Sequence, residues 1–225
     1  MVLPPEVPVM TLPNAILFPG ALLPLYVFEP RYRRMLASCL ESRRVFAVAM
    51  QKQGCTREIP CTVAGLGLIR AAVRRQDGTS YVVLQGLLRV ALTEVRRYRP
   101  FRVQRFRPLA DDETAPQDLA GLTDQLRQLV LGRVQEGVVQ PKTLPKVAIA
   151  MEDSKRLNSL AMFSFEHFLR YLAQLKDPGQ MADLVSCTML PGAAERQTIL
   201  ETIDLQERLK RVIAFLMAST QDDVA

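Results

Sequence analysis

Residues 12–36 read LPNAILFPGALLPLYVFEPRYRRML, from Leu12 to Leu36, and this stretch decides how the chain folds. Prolines at positions 13, 19, 24 and 30 alternate with short apolar runs, and then the pattern turns helical. Proline has no backbone N–H, so each one belongs at an edge, a turn or a helix start. Ile16–Phe18 and Leu25–Phe28 therefore read as short strands between forced turns. Pro30 suits the first turn of a helix, where no hydrogen bond is lost. Glu29 just before it sets a negative charge at the positive end of that helix.

Working outward, the first half reads as β-rich. Val45–Met50 is a continuous apolar run that suits a buried strand. Thr62–Val73 contains Gly65 and Gly67, and Ser80–Leu92 contains Gly86. Glycines inside strands mark bulges or tight bends. Asp77-Gly78 between these two runs is a hairpin signal, because both residues tolerate the positive φ of a tight turn. A further strand is expected around Phe101–Phe106. One helix, about Pro30–Ser42, interrupts the strands, and the set suggests a small, strongly bent barrel.

The composition changes near Pro108. Ala110–Asp118 is acidic and lacks large apolar residues, so it reads as a linker. Beyond it Leu119, Leu122, Leu126, Leu129 and Val130 recur at helical spacing. Pro141 and Pro145 break the reading over Gly137–Asn158. Met162, Phe165, Leu169 and Leu172 line another helix face. Asp177-Pro178 starts a short helix over Met181–Leu190, and a last helix is expected over Ala193–Ala218 with Ile199, Ile203, Leu209, Ile213 and Leu216 inward. The expected organisation is a β-rich subdomain over 1–109, a linker over 110–118, a helical subdomain over 119–219 and a tail over 220–225.

The opening segment resembles a known family. Leu17–Gly20, Leu23–Leu25, Phe28–Tyr32 and Met35-Leu36 are similar to the start of the Lon protease N-terminal, substrate-binding domain. The resemblance continues through Cys61-Thr62-Val63-Ala64, where the family pattern has Gly-Thr-x-Ala, so Cys61 is a departure at a turn. Asp77-Gly78, Gln85-Gly86 with Arg89, Pro100-Phe101, and the helical residues Met181–Val185, Arg196-Gln197, Leu200-Glu201, Asp204 and Arg208-Leu209 extend it to about Leu216. The resemblance implies an α+β fold: a bent PUA-like β-barrel with one embedded helix, followed by an α-helical bundle. It also implies a stand-alone domain that recognises unfolded or degron-bearing polypeptides, or a regulatory protein.

Full-length Lon-type proteases add an ATPase and a Ser–Lys peptidase. No G-x-x-x-x-G-K-[ST] loop, whose backbone N–H groups and lysine would hold ATP phosphates, occurs in the 225 residues. Ser154-Lys155 is adjacent in sequence, which is not a nucleophile–base geometry. His167 falls opposite the apolar face of its expected helix and reads as a solvated surface histidine. The four cysteines, Cys39, Cys55, Cys61 and Cys187, lack the spacing of zinc pairs and read as reduced, structural thiols. Glu29, Arg31 and Arg33 read as a helix cap with local ion pairs. The expectation is a non-catalytic chain without cofactor.

No uncharged apolar run reaches the length of a transmembrane helix. Met1–Met10 lacks the basic start and apolar core of a secretion signal, so the expected location is the cytoplasm. Residues 1–110 hold 17 Lys and Arg against 6 Asp and Glu, a surplus of 11 positive charges. Such asymmetry points to an acidic partner, to attraction between the halves, or to plain solvation. The densest basic stretch is Arg96–Arg107, RRYRPFRVQRFR, and its candidate binding residues are Arg96, Arg97, Tyr98, Arg99, Phe101, Arg102, Arg105 and Phe106. Guanidinium groups pair with phosphates and aromatics stack on bases, so RNA is the alternative partner. The competing reading is an edge strand whose arginines deter aggregation.

Overall fold

The computed structural model describes residues 3–55, 57–111, 119–135 and 171–222. Its strands are β1 (Glu6–Leu12), β2 (Leu22–Val27), β3 (Val45–Met50), β4 (Val63–Arg74), β5 (Ser80–Arg97) and β6 (Val103–Leu109). Its helices are α1 (Pro30–Leu40), α2 (Leu119–Gln135), α3 (Pro178–Met189), α4 (Ala193–Glu201) and α5 (Leu205–Asp222). The chain forms two compact units: Met1–Asp112 with Pro191–Ile203, and Glu113–Leu190 with Asp204–Ala225.

In the first unit one six-stranded sheet runs in the order β2-β5-β4-β3-β1-β6, and β6 also pairs with β5. The long strand β5 makes this curl. Its first part, Ser80–Gln85, pairs with β2, and its last part, from Arg89 on, pairs with β6. Throughout most of its length β4 takes the other side. β2 pairs with β5 alone, so the expected barrel is a curled sheet that keeps a free edge strand and is not fully closed. Pro24 inside β2 fits that edge, where a missing N–H breaks no ladder bond.

Gly86 marks the bend in β5. Its N–H donates to the Ala21 carbonyl at 2.8 Å, and its own carbonyl accepts from Gly20 N–H at 2.9 Å. A Cβ at Gly86 would overlap the Phe18 carbonyl oxygen, and one at Gly65 would overlap that of Leu17. A Cβ at Gly67 would strike the Leu84 and Leu17 side chains. The glycines therefore form a cradle for the segment before β2. Leu17 and Phe18 are wholly buried in it, at 0% exposure. The expectation of a strand over Ile16–Phe18 is corrected: the segment inserts its main chain against the glycines and forms no ladder, and Gly20 turns it out at φ +75°.

β1 was hidden from the sequence reading by Pro4, Pro5 and Pro8. Pro8 lies opposite Val103 of β6, while pairing with β3 begins only at Val9, so no β3 bond is lost at Pro8. All six residues of β3 are buried, which explains its unbroken apolar run. Phe46 and Val48 face one core with Met10, Leu17, Leu84 and the α1 residues Tyr32, Met35, Leu36 and Cys39. Val45, Ala47 and Ala49 face a second core with Val7, Val9, Leu66 and Val90. The Asp77-Gly78 hairpin forms as expected, with Gly78 at φ +79° and Asp77 accepting from Thr79 N–H at 2.9 Å.

The expected single helix over 193–218 is two helices. Thr202 ends α4, and the Asp204 carboxylate accepts from Glu207 N–H at 2.6 Å to start α5. Ile203, expected inward, is 38% exposed in the break. α4 belongs to the sheet unit: Gln197 Nε2 donates to Val63 O at 3.0 Å, and Arg89 Nε to Leu200 O at 3.1 Å. In the other unit Leu126 and Val130 of α2, Met181 and Val185 of α3, and Leu209 and Leu216 of α5 are fully buried. Asp177 caps α3 by accepting from Gln180 N–H at 2.8 Å.

Gly86→Ala is expected to destabilise the chain by about 2–3 kcal/mol, since a backbone carbonyl must move. Gly132→Ala in α2, where a Cβ meets open space, is expected to stabilise by about 0.4–1 kcal/mol. Opposite shifts of the urea midpoint check the pair.

Candidate functional site

The charged residues around the start of α1 form a structural knot. Arg31 Nε donates to Glu29 Oε2 at 2.8 Å, and Arg31 Nη1 pairs with Glu58. The Tyr32 hydroxyl donates to Thr11 O at 2.9 Å and accepts from Thr11 N–H at 3.1 Å. Arg102 Nη2 donates to the Glu58 carbonyl at 3.0 Å. Glu29 makes no side-chain cap bond; its carboxylate goes to Arg31 instead. Burial, with the Glu58 charge beside it, pushes the Tyr32 hydroxyl up to about 12. The knot ties α1 to β1 and to the loop before Pro60.

The arginine-rich stretch is divided by the fold. Arg96 pairs with Glu94 at 3.0 Å and Glu6 at 3.7 Å, and Arg105 with Glu94 at 3.7 Å. The Arg97 guanidinium lies 4.7 Å over the Phe101 ring, and Arg102 lies 5.1 Å over Tyr98. Phe101 is buried in the first core and offers no face for a base to stack on, a correction to its place among the binding candidates. Phe106 packs half-buried against the second core. Tyr98, Arg99 and Arg107 are exposed.

The sequence reading missed a second surface. β2 alternates, with Leu23, Leu25 and Val27 toward the core and Pro24 and Tyr26 outward. Outside, Tyr26 stands opposite Tyr81 with ring centroids 5.0 Å apart, and stacks on Phe28 at 5.8 Å. Tyr26 is 45% and Phe28 57% exposed. Pro24 opposite Val83, and Val73 opposite Tyr81, continue the outer face with apolar side chains. The Arg75 guanidinium lies 5.9 Å over Tyr81 at one end. The period-two pattern Pro24, Tyr26, Phe28 was the available signal.

Burial pushes the Cys39 thiol up to about 12 and raises that of Cys61, which suits packing thiols and suppresses thiolate nucleophiles. Cys55 and Cys187 are half-buried. Ser154, Lys155 and His167 lie outside the described residues, as do residues 112–118 of the acidic stretch. Among the described residues no helix is long and apolar enough to cross a membrane.

The model of the ATP-dependent protease La (LON) substrate-binding domain matches residues 6–218. The chain belongs to this family. It is 23% identical over 215 residues to the Lon protease of Desulfosudis oleivorans, covering 93% of this chain and 23% of that one. To the Lon protease of Roseiflexus castenholzii it is 24% identical, covering 95% and 24%. The chain thus spans about a quarter of the length of these relatives. Among solved structures, the N-terminal domain of Mycobacterium avium complex Lon protease superposes with a TM-score of 0.69 at 18% identity, covering 94% of this chain and 98% of that one. A Lon N-terminal domain protein from Xanthomonas campestris gives 0.59 at 20%, covering 93% and 97%. The Lon-type α+β architecture expected from the opening motif is thus present. The matched part of the relatives is the substrate-binding domain.

Tyr32 and Cys39 both have raised pKa values in the folded chain, so both favour the folded state while protonated. That contribution is complete below the unfolded values, near 10 and 9, and is lost as pH rises toward about 12. Thermal stability is expected to fall steadily above pH 9. Tyr32→Phe removes the tyrosine part of that fall and costs about 1–3 kcal/mol at neutral pH by orphaning Thr11. Melting temperatures from pH 7 to 11 check both.

Proposed function

We propose that this chain is a non-catalytic polypeptide-recognition module whose contact surface is the aromatic strip Tyr26, Phe28 and Tyr81. The observation that carries the reading is the exposure of stacked aromatic rings on the outer face of a free edge strand. Large exposed apolar side chains grouped in one place mark interaction surfaces. Aromatic residues supply most of the energy where such surfaces bind. The adjoining edge of β2 offers backbone groups to an extended segment, although Pro24 withholds one donor. The family's description as a substrate-binding domain supports the same reading. An unfolded stretch of polypeptide, which exposes apolar side chains and unpaired backbone together, is the partner that suits both features.

The test is binding of labelled, unstructured peptides rich in apolar residues, followed by fluorescence anisotropy. Tyr26→Ser with Phe28→Ser is expected to weaken binding at least about ten-fold. Arg99→Ser on the β5–β6 connection with Arg107→Ser on β6 is expected to change it less than about two-fold. The reverse pattern, with steep loss in salt, would support the RNA alternative.

A further inference from the structure

The aromatic strip has unlike ends. At the Phe28 end the charges are compensated: Arg31 is held between Glu29 and Glu58. At the Tyr81 end they are not. Arg74 and Arg75 are exposed at the end of β4, and the Arg33 guanidinium reaches the β4–β5 turn from α1, lying against Gly78. The acidic residue within this turn is Asp77, and its carboxylate is engaged by Thr79 N–H at 2.9 Å and Thr79 Oγ1 at 2.6 Å. Three arginines against one carboxylate leave this turn a local surplus of two positive charges; Arg75 is the one that lies over Tyr81, while Arg74 pairs with Ser80 on the other face of the sheet.

The steps along the strip are 5.8 Å from Phe28 to Tyr26, 5.0 Å to Tyr81 and 5.9 Å to the Arg75 guanidinium. The path turns back on itself: Val27 and Arg74 both pair with Ser80, so Phe28 and Arg75 stand at one level on either side of β5, two strand spacings or about 10 Å apart, the reach of roughly three extended residues. Building on the polypeptide-recognition reading above, we infer that the strip selects an extended segment by polarity: apolar or aromatic residues over Tyr26, Phe28 and Tyr81, and an Asp or Glu about three residues along, set against Arg75. Complementary charge at a rim acts mainly on encounter and on choice of partner. Arginine also suits a carboxylate through its paired donors.

The distribution of charge favours a peptide over a nucleic-acid strand. A strand carries a phosphate at every nucleotide and needs positive charge along its whole track. Here one end of the track lies beside the carboxylates of Glu29 and Glu58, while the positive surplus sits at the other. A segment with apolar residues first and carboxylates last matches that order.

The experiment uses the full chain and two labelled ten-residue peptides that share one apolar–aromatic core, one ending in three glutamates and the other in three lysines. A ten-residue oligouridylate serves as competitor. At about 50 mM salt the glutamate peptide is expected to bind about five-fold more tightly than the lysine peptide, with the difference gone near 0.5 M salt. Arg75→Gln is expected to abolish the preference and Arg75→Glu to invert it, while unchanged circular dichroism shows that the fold is kept. Equal binding of both peptides, lost in Tyr26→Ser with Phe28→Ser, overturns the polarity inference and leaves the recognition reading standing. Binding of neither peptide, or binding insensitive to the aromatic substitutions, overturns both. Displacement of the glutamate peptide by an equal concentration of oligouridylate overturns the inference in favour of a nucleic-acid strand.

Discussion

The close approach of the Leu17 and Phe18 carbonyls to Gly65 and Gly86 is the constraint on which the sheet unit depends. Two strands give up side chains at neighbouring levels so that a third segment of main chain can pass inside. The same glycine lets β5 bend, and the bend lets β5 serve two neighbours on one side, β2 and then β6. Prolines at 13 and 19 flank the inserted residues and keep them out of a ladder. Leu17 then fills the first core beside Leu84. β2 leaves the cradle as an edge strand, so the exposure of Tyr26 and Phe28 follows from how Leu17 and Phe18 are seated.

Polar groups in the interior do a different job. Arg89 is 3% exposed, reaches Leu200 O at 3.1 Å and Asp111 at 3.8 Å, and so fastens α4 to the sheet. Arg208 is wholly buried and lies 3.9 Å from Asp183, joining α5 to α3 in the other unit. A buried charge is costly unless it is paired and hydrogen-bonded, so these arginines add specificity more than stability. Gln197 adds a bond to Val63 O that only the observed seating of α4 allows. Segments far apart in sequence are thereby held in one place by groups that have few other satisfactory partners.

The legible parts of the fold were those with local causes. The Asp77-Gly78 hairpin, the buried β3, the α1 start at Pro30 and the Asp177 cap each rest on a short run of residues, and each formed as read. The misread parts depend on distant partners. β1 contains prolines, and nothing local says that β3 pairing begins only at Val9. Ile16–Phe18 is apolar enough for a strand, and only the glycines some 50 and 70 residues away show that it is a plug. The break after α4 needed the capping role of Asp204, which is invisible while the apolar period continues through Ile199, Ile203 and Leu209. Phe101 looked like a stacking surface because it sits among arginines, yet its ring belongs to the core.

The same distinction governs charge. Arg96–Arg107 is the densest basic run in the sequence, and much of it is satisfied nearby by Glu94, Glu6, aromatic rings or a carbonyl. The turn beside Tyr81 draws its arginines from β4 and from α1, which are separated by some 40 residues, and no short window of sequence shows the group. A run of like charges in sequence measures local density, whereas binding responds to charge left uncompensated in space. Among the exposed surfaces of the sheet unit, the strip from Phe28 to Arg75 joins uncovered aromatic area to uncompensated charge within a few residues' reach. That conjunction, more than the total positive surplus of the first half, gives this surface a direction.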